Sequence, residues 1–263
     1  MCPRHHETTP AVRYRLLIAY DGSDYAGWQR QDNALAVQQV VEEAVAAVAG
    51  RNVIVHGAGR TDAGVHAAGQ AAHLDLPAGN LPSGETRRAL VHGVNHHLPA
   101  TIRVLAADAV DDSFHARKSA SFKVYRYRLC TAPVIDPFRA PFVVPAPRRL
   151  DLESMKRAAS LISGRHDFSA FAKAGGSHGS TVRTIHEAGW TEQGDEIRFR
   201  VAGDGFLRGM VRALVGTTLE LGLGRRALDD LAALLTGRPR AEAGPNAPAR
   251  GLCLERVEYD HAT

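Results

Sequence analysis

Cysteine is scarce in this chain of 263 residues: Cys2, Cys130 and Cys253 are odd in number and far apart. No Cys-x-x-Cys pair exists that could form half of a zinc or redox site, and the three read as small buried apolar residues. Long hydrophobic runs are also missing. Nothing approaches the roughly 18 consecutive apolar residues of a membrane span, and the opening Met1-Cys2-Pro3-Arg4-His5-His6-Glu7 lacks the apolar core of a signal peptide. No membrane association and a cytoplasmic location are the expectation. Neither sign of charge dominates: Lys+Arg 32 against Asp+Glu 28 leaves a net charge of +4, which says little about partners. Several chemical signatures are absent as well. There is no Gly-Lys-Ser/Thr of a P-loop. His92 and His96 are spaced i, i+4, but Gly93 stands where a zinc hydrolase carries its Glu.

What remains is a globular composition, 44% hydrophobic and 23% charged. A chain of this length can bury about 70–75% of its unfolded surface, so it needs neither disulfides nor metal to hold a core. Hydrophobic periodicity predicts a strand over 12–20, a helix over 35–49 ending at Gly50, and a short strand at 53–55. A glycine-rich loop at 57–64, a strand over 67–76, a helix over 83–97 with Ser83 as N-cap and a strand over 102–110 complete the first half. The second half predicts a strand over 120–129, a helix over 152–162 and strands over 183–190 and 196–202. Helices over 206–221 and 228–235 and a last strand over 252–258 follow. The fold class expected is α+β: two fused α/β lobes with mainly antiparallel sheets and a cleft between them. The expected boundaries are a disordered tail at 1–11, one lobe at 12–110 and another at 111–263. Two segments rich in glycine, proline and small polar residues, 173–180 and 236–250, look mobile, the first as a lid and the second as a surface insertion.

Three places hold candidate chemistry. Loop 57–64 presents a carboxylate, Asp62, two residues from a guanidinium, Arg60, among glycines that let the backbone approach a ligand. It is not a dinucleotide loop, because Asp62 occupies the place of the third glycine of Gly-x-Gly-x-x-Gly. A plain turn, with Asp62 capping local amides, is the structural alternative. Second, the predicted helix over 206–221 carries Arg208 and Arg212 four residues apart. Cations in its first two turns oppose the helix dipole, so a carboxylate or a phosphate should compensate them. Third, from Ser113 to Arg128 the cations Arg117, Lys118, Lys123, Arg126 and Arg128 alternate with Phe122, Tyr125 and Tyr127, with no acid among them. Cations mixed with aromatics suit a surface that grips phosphates and stacks bases. A solvated strand edge and ordinary core tyrosines are the bland alternatives.

Together these residues resemble the tRNA pseudouridine synthase A (TruA) family. The run Ala58-Gly-Arg-Thr-Asp-Ala-Gly-Val-His66 is similar to its hallmark. Tyr20-Asp-Gly-Ser-Asp-Tyr-Ala-Gly-Trp-Gln-Arg-Gln31, Gly93-Val-Asn95, Leu98-Pro99, Phe114-His-Ala-Arg117, Tyr125-Arg-Tyr127, Asp167-Phe168 and Met210-Val-Arg212 extend the match in order. The resemblance implies the pseudouridine synthase fold and isomerisation of uridines at positions 38 to 40 of the tRNA anticodon stem-loop. It also implies a homodimer with no cofactor and no metal. Residue by residue, Asp62 matches the catalytic aspartate, Tyr125 the tyrosine that packs on the target base, and Arg212 the basic partner of the aspartate. Arg60 matches an arginine that holds the flipped nucleotide, and Arg117 lies where the family contacts RNA. The basic segment containing Arg126 would add salt-sensitive affinity. Arg208 stands where some relatives carry histidine; an RNA-backbone contact is expected of it. The alternative is a catalytically silent RNA-binding protein or tRNA chaperone.

Overall fold

Period-two alternation builds the first strand, β1 (Ala11–Tyr20), in which Tyr14, Leu16, Ile18 and Tyr20 are all buried. The computed structural model describes residues 11–78, 86–173 and 179–260, so the tail expected at 1–11 lies almost wholly outside the described residues. After β1 come α1 (Val37–Ala49), β2 (His56–Gly57), β3 (His66–Pro77), α2 (Thr86–His97) and β4 (Ile102–Val110). The second half contains β5 (Ala120–Cys130), β6 (Val144–Pro145), α3 (Leu152–Ile162), β7 (Gly164–Asp167), β8 (Val182–Gln193) and β9 (Glu196–Gly203). It ends with α4 (Met210–Gly222), α5 (Leu228–Leu234) and β10 (Leu252–Tyr259). The α+β class is as expected, and the sheet is mainly antiparallel.

The strands of both halves share one sheet, in the order β4-β1-β3-β10-β5-β9-β8-β7. The last strand makes the join. β10 runs parallel to β3 and antiparallel to β5, so Leu254 stands between Ala67 and Tyr125. The consequence for function is direct: the loop that ends at His66 is delivered to the strand that carries Tyr125. Tyr125, Tyr127 and Leu129 belong to the main buried cluster with Phe199, Val201, Met210 and Leu214. Their neighbours Arg126 and Arg128 point to the other face, opposite Arg200 and Arg198 of β9. Like charges facing each other across strands are unfavourable, and carboxylates offset them here. Arg126 pairs with Glu255 at 2.9 Å, Arg200 with Glu187 at 2.7 Å, and Arg128 and Arg198 both pair with Glu196. Hydrogen bonding from Arg128 outweighs burial and pulls the Glu196 carboxyl down to about 2.

Two predicted elements differ from the structure. Residues 53–55 form no strand, because side chains of α1 take up the backbone of Val55. Its N–H donates to Glu42 Oε1 (3.1 Å) and its carbonyl accepts from Gln38 Nε2 (2.9 Å), so pairing starts only at His56. The described part of the second helix is Thr86–His97; Ser83 lies outside the described residues. The second difference matters most. α4 begins at Met210, not Phe206, since Gly209 adopts φ 74° as its N-cap and interrupts the helix. Arg208 therefore precedes the helix, and Arg208 and Arg212 do not share a helical face.

Segment 236–250, expected as a surface insertion, is docked on α4. Gly244 N–H donates to Thr217 Oγ1 (3.0 Å), Ala247 N–H donates to the Arg212 carbonyl (3.0 Å), and Ala247 is buried. Gly216 makes this approach possible: a Cβ there would lie 1.7 Å from the Pro245 carbonyl oxygen. Gly216→Ala therefore sets two effects against each other. Helix propensity favours Ala by about 1 kcal/mol, while overpacking against backbone that cannot rotate away costs about 1–3 kcal/mol or more. The expected result is a lower thermal midpoint together with lost activity. A midpoint at or above that of the unsubstituted protein would show the docking to be incidental. Of the other segment expected to move, 173–180, residues 174–178 lie outside the described residues.

Candidate active site

The Asp62 loop is clasped by the segment after β1. Trp28 N–H donates to the Thr61 carbonyl (3.1 Å), Gly64 N–H to the Tyr25 carbonyl (3.2 Å), and Tyr20 Oη lies 2.9 Å from Thr61 Oγ1. Close approach is needed for this clasp, because a Cβ on Gly27 would come within 2.4 Å of the Thr61 carbonyl oxygen. Gln70, fully buried on β3, donates from Nε2 to the Gly59 carbonyl at 2.8 Å. The loop is thus fixed from both sides, and Gly57 serves that packing, since a Cβ there would lie 2.4 Å from Trp28 Nε1.

Asp62 does not cap its own loop. Its side chain receives its hydrogen bond from Arg212 Nη1, at 3.3 Å to Oδ2, across 150 positions of sequence. Among the described residues Oδ1 accepts no hydrogen bond, which leaves one carboxylate oxygen available to a reactant. Both side chains are about one-fifth exposed, 23% for Asp62 and 20% for Arg212. Arg212 is itself held: Nε donates to the Ala247 carbonyl at 2.7 Å while its own carbonyl accepts from Ala247 N–H. It occupies the first turn of α4, where a cation opposes the helix dipole, and the carboxylate of Asp62 supplies the compensation. Ala247 was invisible to sequence reasoning because a docked carbonyl leaves no side-chain signature.

Tyr125 stands beside this pair. The Asp62 charge acts on its hydroxyl, and the ring packs edge-on against Phe206 with centroids 5.0 Å apart. Burial first, and then the Asp62 charge, push the Tyr125 pKa well above the ordinary phenol value. The hydroxyl stays neutral, a worse base than an exposed tyrosine, and the ring is what Tyr125 offers a ligand.

The remaining candidates spread outward. Arg60 is exposed, with Nε donating to Gln29 Oε1 at 3.2 Å. Gln29 is in turn tied to Gln38 at 2.7 Å, and Gln38 to Glu42 at 3.0 Å, so a polar chain connects Arg60 to α1. Gln29 falls within the motif running from Tyr20 to Gln31, which was the only signal that could have found it. Arg208 is exposed, ahead of α4, where its carbonyl accepts from Lys173 N–H at 2.8 Å. Arg126 is not brought to Asp62: it lies on the opposite face of β5, bound to Glu255. Lys123, on the Tyr125 face, borders Gly59 and was passed over as one cation among five.

Arg117 is exposed and rests on a histidine cluster. His73 is buried; its Nδ1 accepts from Ala116 N–H (3.1 Å), and its ring packs on His56 and His115 at 4.9 and 4.7 Å. Burial first, then the charges of His56, His115 and Arg13, lower the His73 pKa to about 4, with Asp75 opposing. The unfolded chain, near the ordinary 6.5, therefore takes up a proton first. The stabilisation is complete above that value and is lost as pH falls toward 4. His73→Asn keeps an acceptor for Ala116 N–H and does not titrate. Between about pH 7.5 and about pH 5, unfolding free energy should fall by about 2 kcal/mol less in this variant. Parallel pH dependence in denaturant titrations of the two proteins would dismiss the role of His73.

Comparison with known proteins gives the family. A family model described as tRNA pseudouridine synthase matches residues 16–117 and 158–260. The tRNA pseudouridine synthase A of Syntrophotalea carbinolica is 46% identical over 245 residues, covering 93% of this chain and 95% of that protein. Its namesake in Paramagnetospirillum magneticum is 44% identical over 251 residues, covering 94% and 95%, and that of Clostridium kluyveri 41% over 245, covering 93% and 98%.

Proposed function

The chain belongs to the tRNA pseudouridine synthase family, and on that premise we propose that its isomerase chemistry runs through Asp62, held by Arg212 near Tyr125. The enzyme isomerises uridine to pseudouridine in tRNA. The N1–C1′ bond breaks, the uracil turns, and C5 bonds to C1′; the proton leaving C5 is balanced by one gained at N1. A carboxylate can serve this sequence by adding to C1′ of the ribose, by adding to C6 of the base, or by removing the C2′ proton. What supports Asp62 in the role is one observation: its carboxylate bonds to Arg212, 150 positions away, and not to its own loop. A group serving only as a turn cap has no use for that partner.

In this reading the target nucleotide flips out of the anticodon stem, at a cost of a few kcal/mol. Arg60, exposed beside the Asp62 loop, clamps it. The Tyr125 ring holds the uracil while it is detached. Arg117 and Arg208 are exposed cations suited to the RNA backbone. The targets are the uridines at positions 38 to 40, and the working form is a cytoplasmic homodimer that uses no cofactor or metal. Light scattering at twice the 28.3 kDa chain mass is the expected result for the dimer.

The test is an unmodified tRNA transcript carrying tritium at uracil C5. Tritium should be released into water, and release should stop when the uridines at 38 to 40 are replaced by cytidine. Tight binding without release would favour the binding-protein alternative and overturn the reading.

A further inference from the structure

The strand that carries Tyr125 also carries a cation outside any ion pair. Lys123 lies two residues earlier on the same face of β5, and among the described residues its side chain makes neither an ion pair nor a hydrogen bond. Its side chain runs along the Asp62 loop: a Cβ built on Gly59 would lie 3.6 Å from Lys123 Cε and 3.9 Å from Nζ. Two further cations stand near it. Burial first, then the positive charges of Arg117 and Arg183, lower the Lys123 pKa, and Asp204 acts in the other direction. Arg183 is brought close by register, since Lys123 pairs with Gly203 and Gly203 with Ile185, two positions from Arg183.

Among the described residues none of these three cations forms an ion pair, and Asp204, the one carboxylate that acts on Lys123, leaves the group with a net positive charge. Arg183 donates to the carbonyls of Ser180 (3.0 Å) and Val182 (2.6 Å), and Asp204 is engaged by the Thr184 N–H at 3.1 and 3.2 Å. The other face of the same sheet is built differently, with Arg126, Arg128 and Arg200 each matched to a glutamate. A partly desolvated ammonium between two like charges is unfavourable until an anion reaches it. The uracil ring is neutral, so the anion a tRNA brings to this position is its own phosphodiester.

We propose that Lys123, flanked by Arg183 and Arg117, forms a subsite for the backbone phosphate next to the target uridine. Lys123 is then a positioning residue: it fixes the RNA chain where the flipped base meets Tyr125 and Asp62. The proposal rests on the isomerase reading above and adds to it the group that registers the nucleotide.

The test uses Lys123→Met and Lys123→Arg in the full chain, with an unmodified tRNA transcript as the probe. Binding is titrated from about 50 to about 200 mM KCl. Lys123→Met should weaken binding about tenfold at low salt and reduce the slope of log affinity against log salt by about one, whereas Lys123→Arg should keep the slope. The thermal midpoint of Lys123→Met should equal or exceed that of the unsubstituted protein, because a desolvated charge without a partner has been removed. An unchanged slope in Lys123→Met would overturn the subsite. So would lost affinity accompanied by a lowered midpoint that Lys123→Arg does not restore, since that marks a packing role. Tritium release by the unsubstituted enzyme decides the isomerase reading separately, so failure of either idea is recognisable by itself.

Discussion

Asp62→Asn should reduce tritium release from C5-labelled tRNA by at least about 10⁴-fold while leaving tRNA affinity within several-fold, as expected when a nucleophile or base is removed without loss of shape. Asparagine matches aspartate in size, and its side-chain oxygen can still accept from Arg212 Nη1, so the loop has no reason to move. The clasp from Tyr20, Trp28 and Gln70 involves Thr61 and Gly59, not the Asp62 side chain. Binding depends on cations elsewhere, and those are untouched. The substitution therefore separates charge at one atom from everything else the site does. Release within tenfold of the unsubstituted enzyme would end the catalytic reading of Asp62. A parallel loss of binding would instead mean that the carboxylate orders the RNA site.

Much of this site could be read from the chain, for identifiable reasons. Asp62 and Arg60 stood out because glycines bracket them, and Tyr125 because it lies in a strand of alternating cations and aromatics. Those are local signals, and strand β5 follows the period-two pattern, with Tyr125 and Tyr127 in the core and Arg126 and Arg128 on the other face. Contacts at long range were not legible. The residues by themselves marked Arg212 as a cation misplaced against a helix dipole, its pairing with Asp62 coming from the family resemblance, and the dipole argument also drew in Arg208, which Gly209 in fact excludes from the helix. The helical pattern from 206 onward looked continuous because Phe206 and Leu207 are apolar for another purpose: Leu207 is buried in the core and Phe206 packs on Tyr125. Residues 53–55 failed in a related way, since no pattern of apolar residues says that side chains of α1 will satisfy the backbone of Val55. Segment 236–250 was misread because glycine and proline look alike in a loose loop and in one docked against a helix.

That last misreading bears on the second large effect. Arg212→Ala should lower the maximal rate by about 10²–10³-fold with a smaller change in tRNA affinity, the scale seen when one preorganised charged donor is removed. Three contacts make Arg212 a positioned group: Nη1 to Asp62, Nε to the Ala247 carbonyl, and its own carbonyl to Ala247 N–H. Arg212→Lys should fall between, because an ammonium keeps the charge but cannot serve Asp62 and the Ala247 carbonyl in the fixed geometry of a guanidinium. Global stability should fall by only about 1 kcal/mol, the ordinary value of one side-chain hydrogen bond, since the backbone bond to Ala247 survives. The sharper test combines this change with Gly216→Ala. A methyl on Gly216 pushes against the Pro245 carbonyl and so displaces Ala247, and its effect on rate passes through Arg212. Once Arg212 is Ala, that path is gone, and the double variant should lose no more activity than Arg212→Ala alone. Additive losses in rate would mean that segment 236–250 acts on the reaction by another route, and activity of Arg212→Ala within about threefold of the unsubstituted enzyme would remove Arg212 from the electrostatics of the site altogether.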